Sequence, residues 1–106
     1  MISRIEITEV AREDLASQSD WYREKAGVHV AEHYVGAVQE TLKSLQRQPD
    51  LGRLRKYRDP RLCGLRSSTV QGAFRVHLIF YRVENDSLVV FRVMHGMRDL
   101  PRRLLE

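Results

Sequence analysis

One histidine and a group of arginines in the second half of this chain are the side chains best suited to chemistry. His95 ends a run of apolar residues, and histidine is the side chain that most readily exchanges a proton near neutral pH. Arg66 and Arg82 each carry a planar, permanent positive charge, which suits a phosphate or a carboxylate. We expect His95 and Arg66 to face one another at strand ends, where an acid–base group and a cation would meet. The competing interpretation is a strand-end histidine bonded to backbone groups.

The other candidate ligands do not complete a metal site. His29 and His33 are four residues apart on a predicted helix, but their face of the helix is polar and we predict that both are solvated. Cys63 is the only cysteine, so the chain forms no internal disulfide and no multi-cysteine metal centre. The sequence has no phosphate-cradling glycine loop and no nucleophile elbow. We therefore expect no metal and no cofactor.

The sequence carries no signal for export or for a membrane. The alternating, charged residues after Met1 do not form an apolar signal core. No apolar run approaches the ~20 residues that a membrane span needs. A single cysteine also fits a reducing compartment. We expect a cytoplasmic protein without a membrane contact.

Charge is distributed unevenly between the two halves of the chain. Residues 1–50 contain six Lys/Arg and nine Asp/Glu, a net of −3, whereas residues 51–106 contain twelve Lys/Arg and five Asp/Glu, a net of +7. Eleven of those twelve basic residues are arginine, and Lys56 is the exception. The second half should therefore attract nucleic acid or an acidic partner. A surface that is merely soluble is the alternative.

The first half predicts a short strand and a helical hairpin. Alternation over residues 2–8 indicates the strand, and Thr8 can cap the helix that follows. Apolar residues then recur at helical spacing, and we expect Trp21 and Tyr22 among them to lie in the core. This first helix should end at Gly27, a residue that commonly terminates helices. A second helix should end before Pro49. Because the join is short, the two helices should be antiparallel neighbours.

The second half predicts a basic loop and three strands. Residues 49–61 contain two prolines and five basic residues and should form a loop. The predicted strands are residues 62–70, with Gly64 as a bulge, residues 74–83, with His77 in mid-strand, and residues 87–95. The tail that follows should form a short helical turn, interrupted by Pro101. Short turns make these strands an antiparallel meander. At 106 residues we expect a single domain, 1–106. Its predicted class is α+β: a β-α-α-β-β-β order with the N-terminal strand and the helical hairpin packed on one face of an antiparallel sheet.

Both faces of the last two strands are apolar. Leu78 and Phe80 should point one way and Ile79 and Tyr81 the other, and strand 87–95 should place Leu88, Val90 and Met94 opposite Val89, Phe91 and Val93. One layer of helices covers only one face. The second face needs the tail, the basic loop, a second copy or a segment of a partner.

Four segments, in this order, resemble the ParE toxins of the RelE/ParE superfamily. They are Ala11, Asp14 and Leu15 followed by "DWY", then "QPDLGR", then "LCGLRSS", and finally "FRVHLIFYRVENDSLVVFRVMHGMRD". The resemblance spans essentially the whole chain. It implies the toxin of a type II toxin–antitoxin pair that stalls DNA gyrase with its DNA cut. It also implies a ParD-like antitoxin as partner, whose flexible segment would take the second apolar face, and contact with DNA through the gyrase complex.

The resemblance also suggests which residues act. For the target-facing element we expect the tail residues Met94, His95, Met97, Arg98, Arg102 and Arg103. For the antitoxin we expect Arg53, Arg58, Arg66, Phe74, Val76, Tyr81 and Arg82. Relatives of the RelE type cut messenger RNA on the ribosome, and a set of His95, Arg66 and Arg82 would serve that alternative. Such relatives typically have a tyrosine or a lysine-rich cluster near the C-terminus, whereas this tail is arginine-only, so we expect no catalytic residues.

Overall fold

The computed structural model describes residues 2–96 and 100–106, in which two helices pack on one face of a five-stranded sheet. The elements are β1 (Arg4–Ile7), α1 (Glu9–Ala26), α2 (Val28–Arg47), β2 (Arg53–Leu54), β3 (Arg66–Thr69), β4 (His77–Glu84) and β5 (Ser87–His95). Short 3-10 turns lie at Pro49–Leu51, Pro60–Leu62, Gly72–Phe74 and Arg102–Leu105. The predicted α+β class is confirmed. No helix in the described ranges is both long and apolar enough to cross a membrane.

The helical hairpin forms as the sequence predicts. The Thr8 hydroxyl accepts a hydrogen bond from the backbone N–H of Ala11 at 3.1 Å, which satisfies one of the donors left free at the start of α1. Gly27 separates the two helices with φ 99°, a conformation that a residue with a Cβ adopts only with strain. α2 buries a stripe that includes Tyr34, Val38 and Leu45 against the sheet. The hairpin therefore supplies one complete face of the core.

The sheet is mixed, not purely antiparallel as predicted. Its strand order is β1-β5-β4-β3-β2, and β3, β4 and β5 form the expected antiparallel meander. β1 pairs with β5 in parallel. The antiparallel helices return the chain to the end of the sheet where β1 finished, and three reversals from β2 to β5 then give β5 the direction of β1. The missed element is β2, a two-residue edge strand inside the predicted basic loop.

Strand boundaries differ from the prediction where turns interrupt the chain. β3 begins at Arg66 and not at residue 62, because a 3-10 turn at Pro60–Leu62 and a turn at Gly64 precede it. Gly64 has φ 78°, so it reverses the chain and is not a strand bulge. β4 begins at His77, which is therefore its first residue and not in mid-strand. The bulge lies instead in β5, where Tyr81 is opposite Val90 and Phe80 is opposite Arg92, so that Phe91 is the extra residue.

The chain covers both faces of its own sheet. Ile79, Tyr81, Leu88, Val90 and Val93 lie against the helices. On the opposite face, a second cluster contains Leu62, Leu65, Leu78, Phe80, Met94 and Leu104. The basic loop, the turn after it and the tail therefore provide the second layer, so the chain itself covers the face that was expected to receive an antitoxin. The bulge at Phe91 also reverses the predicted sides of Val93 and Met94.

Candidate functional site

An open groove of about 710 Å³ lies between α1, the end of β5 and the C-terminal tail. The described residues that line it are Asp14, Ser17, Gln18, Trp21, Tyr22, Arg92, Val93, Met94, His95 and Arg103. Ligand sites of proteins typically have volumes of ~300–1,000 Å³ and combine apolar walls with a few polar groups. The groove is thus of a size to hold a small molecule or part of a partner.

One wall of the groove is formed by α1, because β1 ends before it has paired with the whole of β5. β1 pairs only with the first part of β5, from Ser87 to Val90, after which Thr8 turns the chain into α1. The edge of β5 beyond this point meets side chains: the Thr8 hydroxyl donates to the Phe91 carbonyl at 2.9 Å. The backbone N–H of Val93 then donates to the Asp14 carboxylate at 3.1 Å. Helix α1 therefore replaces β1 as the neighbour of β5, and the groove lies between α1 and β5.

A carboxylate–guanidinium pair ties three elements together at the base of the groove. Arg92 donates two hydrogen bonds to Asp14, Nε to Oδ2 at 2.8 Å and Nη2 to Oδ1 at 3.0 Å. Its Nη1 donates to the backbone carbonyl of Arg103 at 2.9 Å. The hydrogen bonds to Asp14 raise the pKa of Arg92 above its usual value. Both side chains are largely buried, so this pair links helix, strand and tail.

Two histidines and a tyrosine lie together at the end of the sheet. His77 and His95 are directly opposite one another on β4 and β5, with ring centroids 5.1 Å apart. The Tyr22 hydroxyl and Nε2 of His77 share a hydrogen bond of 2.8 Å. Burial, and to a smaller extent the charge of nearby His95, lowers the pKa of His77 to about 4. His77 is therefore neutral at pH 7, whereas His95 is exposed at the rim of the groove.

Trp21 is an exposed aromatic side chain, not the core residue that the sequence predicted. Its indole has 52% of its surface exposed and lines the groove. It meets the ring of Tyr22 edge to face, with centroids 5.4 Å apart and planes at 76°. Tyr22 packs in turn against Tyr34 and Phe74, which places it at the margin of the core as predicted. The indole therefore stands on a rigid aromatic base and presents its surface to the groove.

The predicted catalytic set is not brought together. Arg66 is opposite Tyr81 on β4, four residues along that strand from His77, the partner of His95. Four residues of strand span ~13 Å. Arg66 donates to the Gly52 carbonyl at 2.9 Å, and Arg82 donates to the Cys63 carbonyl at 3.0 Å. The expectation that His95 and Arg66 face one another is wrong, and both arginines hold loops in place.

The predicted antitoxin-binding residues fall into three groups by burial. Tyr81 is fully buried, and its hydroxyl donates to the Pro49 carbonyl at 2.7 Å and accepts from the N–H of Gly52 at 2.8 Å. Tyr81 therefore leaves the candidate set. Phe74, Arg66 and Arg82 are partly buried. The exposed members of the set are Arg53, Arg58 and Val76.

The predicted target-facing residues are also divided. Met94 is buried in the second apolar cluster, so its side chain does not face a target. His95 and Arg102 are exposed, and Arg103 lines the groove while its Nη2 donates to the His95 carbonyl at 3.2 Å. Met97 and Arg98 lie outside the described residues. Among the residues that the structure describes, no three His, Cys, Asp or Glu side chains are grouped to hold a metal ion.

Sequence reasoning missed the groove residues that α1 supplies. Asp14, Gln18 and Trp21 follow one another at i, i+4 and i+7, which places a polar and aromatic stripe along one face of α1. An aromatic residue on a polar helix face was the available signal for Trp21. The contact between Tyr22 and His77 spans 55 residues and carries no such signal.

Chains of solved toxin–antitoxin structures share this fold. A family model described as "ParE toxin of type II toxin-antitoxin system, parDE" matches residues 5–100, and the chain therefore belongs to the ParE toxin family. It is similar to a chain of the structure "Chromosomal ParDE TA system from P. aeruginosa", with 23% identity, a TM-score of 0.72, and coverage of 91% of this chain and 98% of that one.

A second solved structure shares the fold at lower similarity. It is the "YoeB-YefM complex from Staphylococcus aureus", with 18% identity, a TM-score of 0.57, and coverage of 89% of this chain and 97% of that one. No curated protein matches the sequence. The protein is a toxin of a type II toxin–antitoxin system, of the ParE family.

Proposed function

We propose that this toxin acts in the cytoplasm by binding DNA gyrase and holding it with its DNA cut, and that a ParD-like antitoxin neutralises it. The toxin acts by binding and not as an enzyme. The observation that carries this choice is the separation of Arg66 and Arg82 from His95, because it leaves the catalytic set expected of an RNA-cleaving toxin unassembled. Membership of the ParE family supports the same choice.

The target-facing surface in this proposal is the end of β5 and the tail. It comprises the exposed His95 and Arg102, the groove residue Arg103, and Met97 and Arg98 from the sequence. Because Leu104 is buried against the sheet, removing the tail would open the second apolar cluster. Deletion would then confuse unfolding with loss of target binding. Single substitutions of exposed residues are the appropriate test.

The antitoxin surface in this proposal is the edge of the sheet at β2 with the loop that follows. Leu51 and Leu54 are 59% and 45% exposed there, and Arg53 and Arg58 are exposed beside them. β2 is an outer strand, so an extended segment can add to it by backbone hydrogen bonds. A segment that alternates apolar and acidic residues complements this edge in both shape and charge. Val76 remains a further exposed candidate.

The decisive experiment is a supercoiling and cleavage assay with purified gyrase, ATP and relaxed plasmid. We expect lost supercoiling and accumulated linear DNA, reversed by a cognate antitoxin. Replacing His95 or Arg102 by glutamine should reduce cleavage about tenfold, whereas the matched change His29→Gln on the exposed face of α2 should not. Normal supercoiling together with codon-specific messenger cleavage in a cell-free translation reaction would contradict the proposal and favour the RNase alternative.

A further inference from the structure

The sheet has two outer strands, and the proposed antitoxin surface uses only one of them. β1 and β2 stand at the two ends of the strand order. An outer strand carries a row of backbone N–H and C=O groups that a further strand can bind. The free edge of β1 is therefore a second docking edge, and the proposed function gives it no occupant.

The backbone groups of Ile5 and Ile7 point to the free side of β1. In a parallel pair, alternate residues of a strand bond the neighbouring strand. The N–H of Thr8 donates to the Val90 carbonyl of β5 at 3.1 Å, so by alternation Ile5 and Ile7 face away from β5. Within the described part of the chain, these outward groups make no hydrogen bond.

The side chains on either side of Ile5 carry opposite charges. Arg4 and Glu6 are exposed, whereas Ile5 is partly buried beside the helices. A two-fold axis at Ile5 would pair β1 antiparallel with β1 of a second copy and place Arg4 opposite Glu6 of that copy, twice. These are the pairs without hydrogen bonds, in which side chains approach most closely. The edge is thus complementary to itself.

The existing contact of Arg4 leaves it available for this pairing. Its guanidinium lies 3.8 Å from the carboxylate of Asp86, and the two side chains are 65% and 57% exposed. Ion pairs so open to water contribute little. Arg4 can therefore turn to a carboxylate of a second copy at small cost.

The same operation at β2 brings like charges together. A two-fold axis at Leu54 would place Arg53 opposite Arg55 of a second copy. Like charges directly opposite one another destabilise a pair of strands, and natural proteins use charges in this way to protect their sheet edges. β2 is thus protected against a second copy, whereas β1, with one charge of each sign, is not.

We infer that β1 is a self-association edge, at which two copies of the toxin pair antiparallel about Ile5 into one continuous sheet. β1 has only four residues, so the interface is smaller than the ~1,600 Å² of a standard stable complex. The dimer should therefore be weak, with a Kd between ~10 μM and ~500 μM. β2 stays free in both copies. The inference does not depend on gyrase or on the antitoxin.

Sedimentation equilibrium of the full chain measures this association directly. Arg4→Glu and Glu6→Arg should each weaken self-association at least about tenfold, because each variant places two pairs of like charges across the axis. The two variants mixed in equal amounts should associate with one another at least as tightly as the wild type does, because every cross-strand pair then joins opposite charges. The double variant Arg4→Glu with Glu6→Arg should also recover self-association.

Lys25→Glu and Glu24→Arg are the matched controls. They make the same changes of net charge at exposed positions near the end of α1, away from β1. Both should self-associate as the wild type does, and circular dichroism should show that every variant is folded.

Three results would overturn the inference. The first is a wild-type chain that stays monomeric up to ~1 mM. The second is self-association of Arg4→Glu and Glu6→Arg that equals that of the controls. The third is a mixture of these two variants that associates no more than each variant does alone, because the predicted register requires the charges to complement one another.

Discussion

His77 is a titratable side chain at a position that water does not reach. Only 1% of its surface is exposed, Tyr22 holds its Nε2, and the rings of Tyr34 and His95 pack against it. Burial lowers its pKa from 6.5 to about 4, with His95 as the second cause. The unfolded chain therefore binds a proton in a pH range where the folded chain does not. This single residue makes folding sensitive to acid.

The sign of that sensitivity gives the first prediction. Between pH 6.5 and about 4 the unfolded state carries more protons, so the free energy of unfolding should fall as pH falls through this window. The loss attributable to His77 is up to about 3 kcal/mol. His77→Gln should reduce the slope of stability against pH there, as measured by urea unfolding at a series of pH values.

His29→Gln is the control for this prediction, since His29 is exposed on α2. It should leave the slope unchanged. Carboxylates contribute equally to all three proteins, so the difference between their curves isolates the histidine. Parallel curves for His77→Gln and the wild type would show that His77 does not carry the effect.

At the scale of elements, the loop between α2 and β3 makes its closest approach to the sheet at Gly52. Gly52 has an ordinary extended backbone, with φ −71°, so its conformation does not require glycine. The lack of space requires glycine instead, because a Cβ at this position would collide with the ring and hydroxyl of buried Tyr81. The same hydroxyl bonds Pro49 and Gly52, and Arg66 bonds the Gly52 carbonyl. The loop can therefore pack this closely against the sheet only because residue 52 has no side chain.

This contact predicts opposite effects for the same substitution at two glycines. Gly52→Ala should destabilise the protein by about 1–3 kcal/mol, because Tyr81 is fully packed and cannot move aside. Gly36→Ala, inside α2 with open space around the added methyl, should stabilise it by about 0.5–1 kcal/mol. Urea unfolding of the two variants measures both. A neutral Gly52→Ala would show that the loop is free to lift from Tyr81.

The elements that follow from local pattern were predictable, and those that follow from distant contacts were not. The helices, the meander and the α+β class come from periodicity, Thr8 and Gly27. The direction in which β1 pairs with β5 depends on the number of chain reversals between them. One of these reversals involves β2, which is only two residues long and has no sequence signal. The bulge at Phe91 interchanged the predicted sides of Val93 and Met94, because one extra residue reverses alternation.

The site was less predictable than the fold for the same reason. His95 and Arg103 were chosen by residue type and do line the groove. Arg66 and Arg82 were chosen on the same ground, yet they bond loop carbonyls, which residue type cannot reveal. Tyr81 was an apolar, aromatic candidate for a partner, and its hydroxyl proved to be the anchor of Gly52. Hydrogen bonds from side chains to the backbone of distant loops cannot be predicted from the spacing of residues in the sequence.

At the scale of the whole molecule, the charge asymmetry should control how fast a partner arrives. Residues 51–106 carry a net charge of +7 and residues 1–50 a net of −3. Under the proposed function, an acidic antitoxin segment is attracted to the basic half. Such steering acts over about a Debye length, roughly 10 Å at 0.1 M salt, and weakens as salt rises.

The corresponding prediction concerns the rate of association with antitoxin. The double change Arg53→Gln and Arg58→Gln should slow association about threefold at low salt and flatten its salt dependence, measured by stopped-flow fluorescence. Arg12→Gln with Arg23→Gln removes the same total charge from exposed positions on α1 and is the matched control. Equal slowing in both double variants would show that net charge, and not the basic loop, governs the encounter.

The parallel pairing of β1 with β5 has a consequence for synthesis of the toxin. Residues Arg4–Ile7 are among the first to be made, and their partners begin at Ser87. β1 must therefore wait, without its strand neighbour, until most of the chain has left the ribosome. The edge of β5 that α1 borders does not exist before then either. A ribosome that stops short of β5 releases a chain without the finished sheet, so premature termination yields fragments that lack the toxin fold.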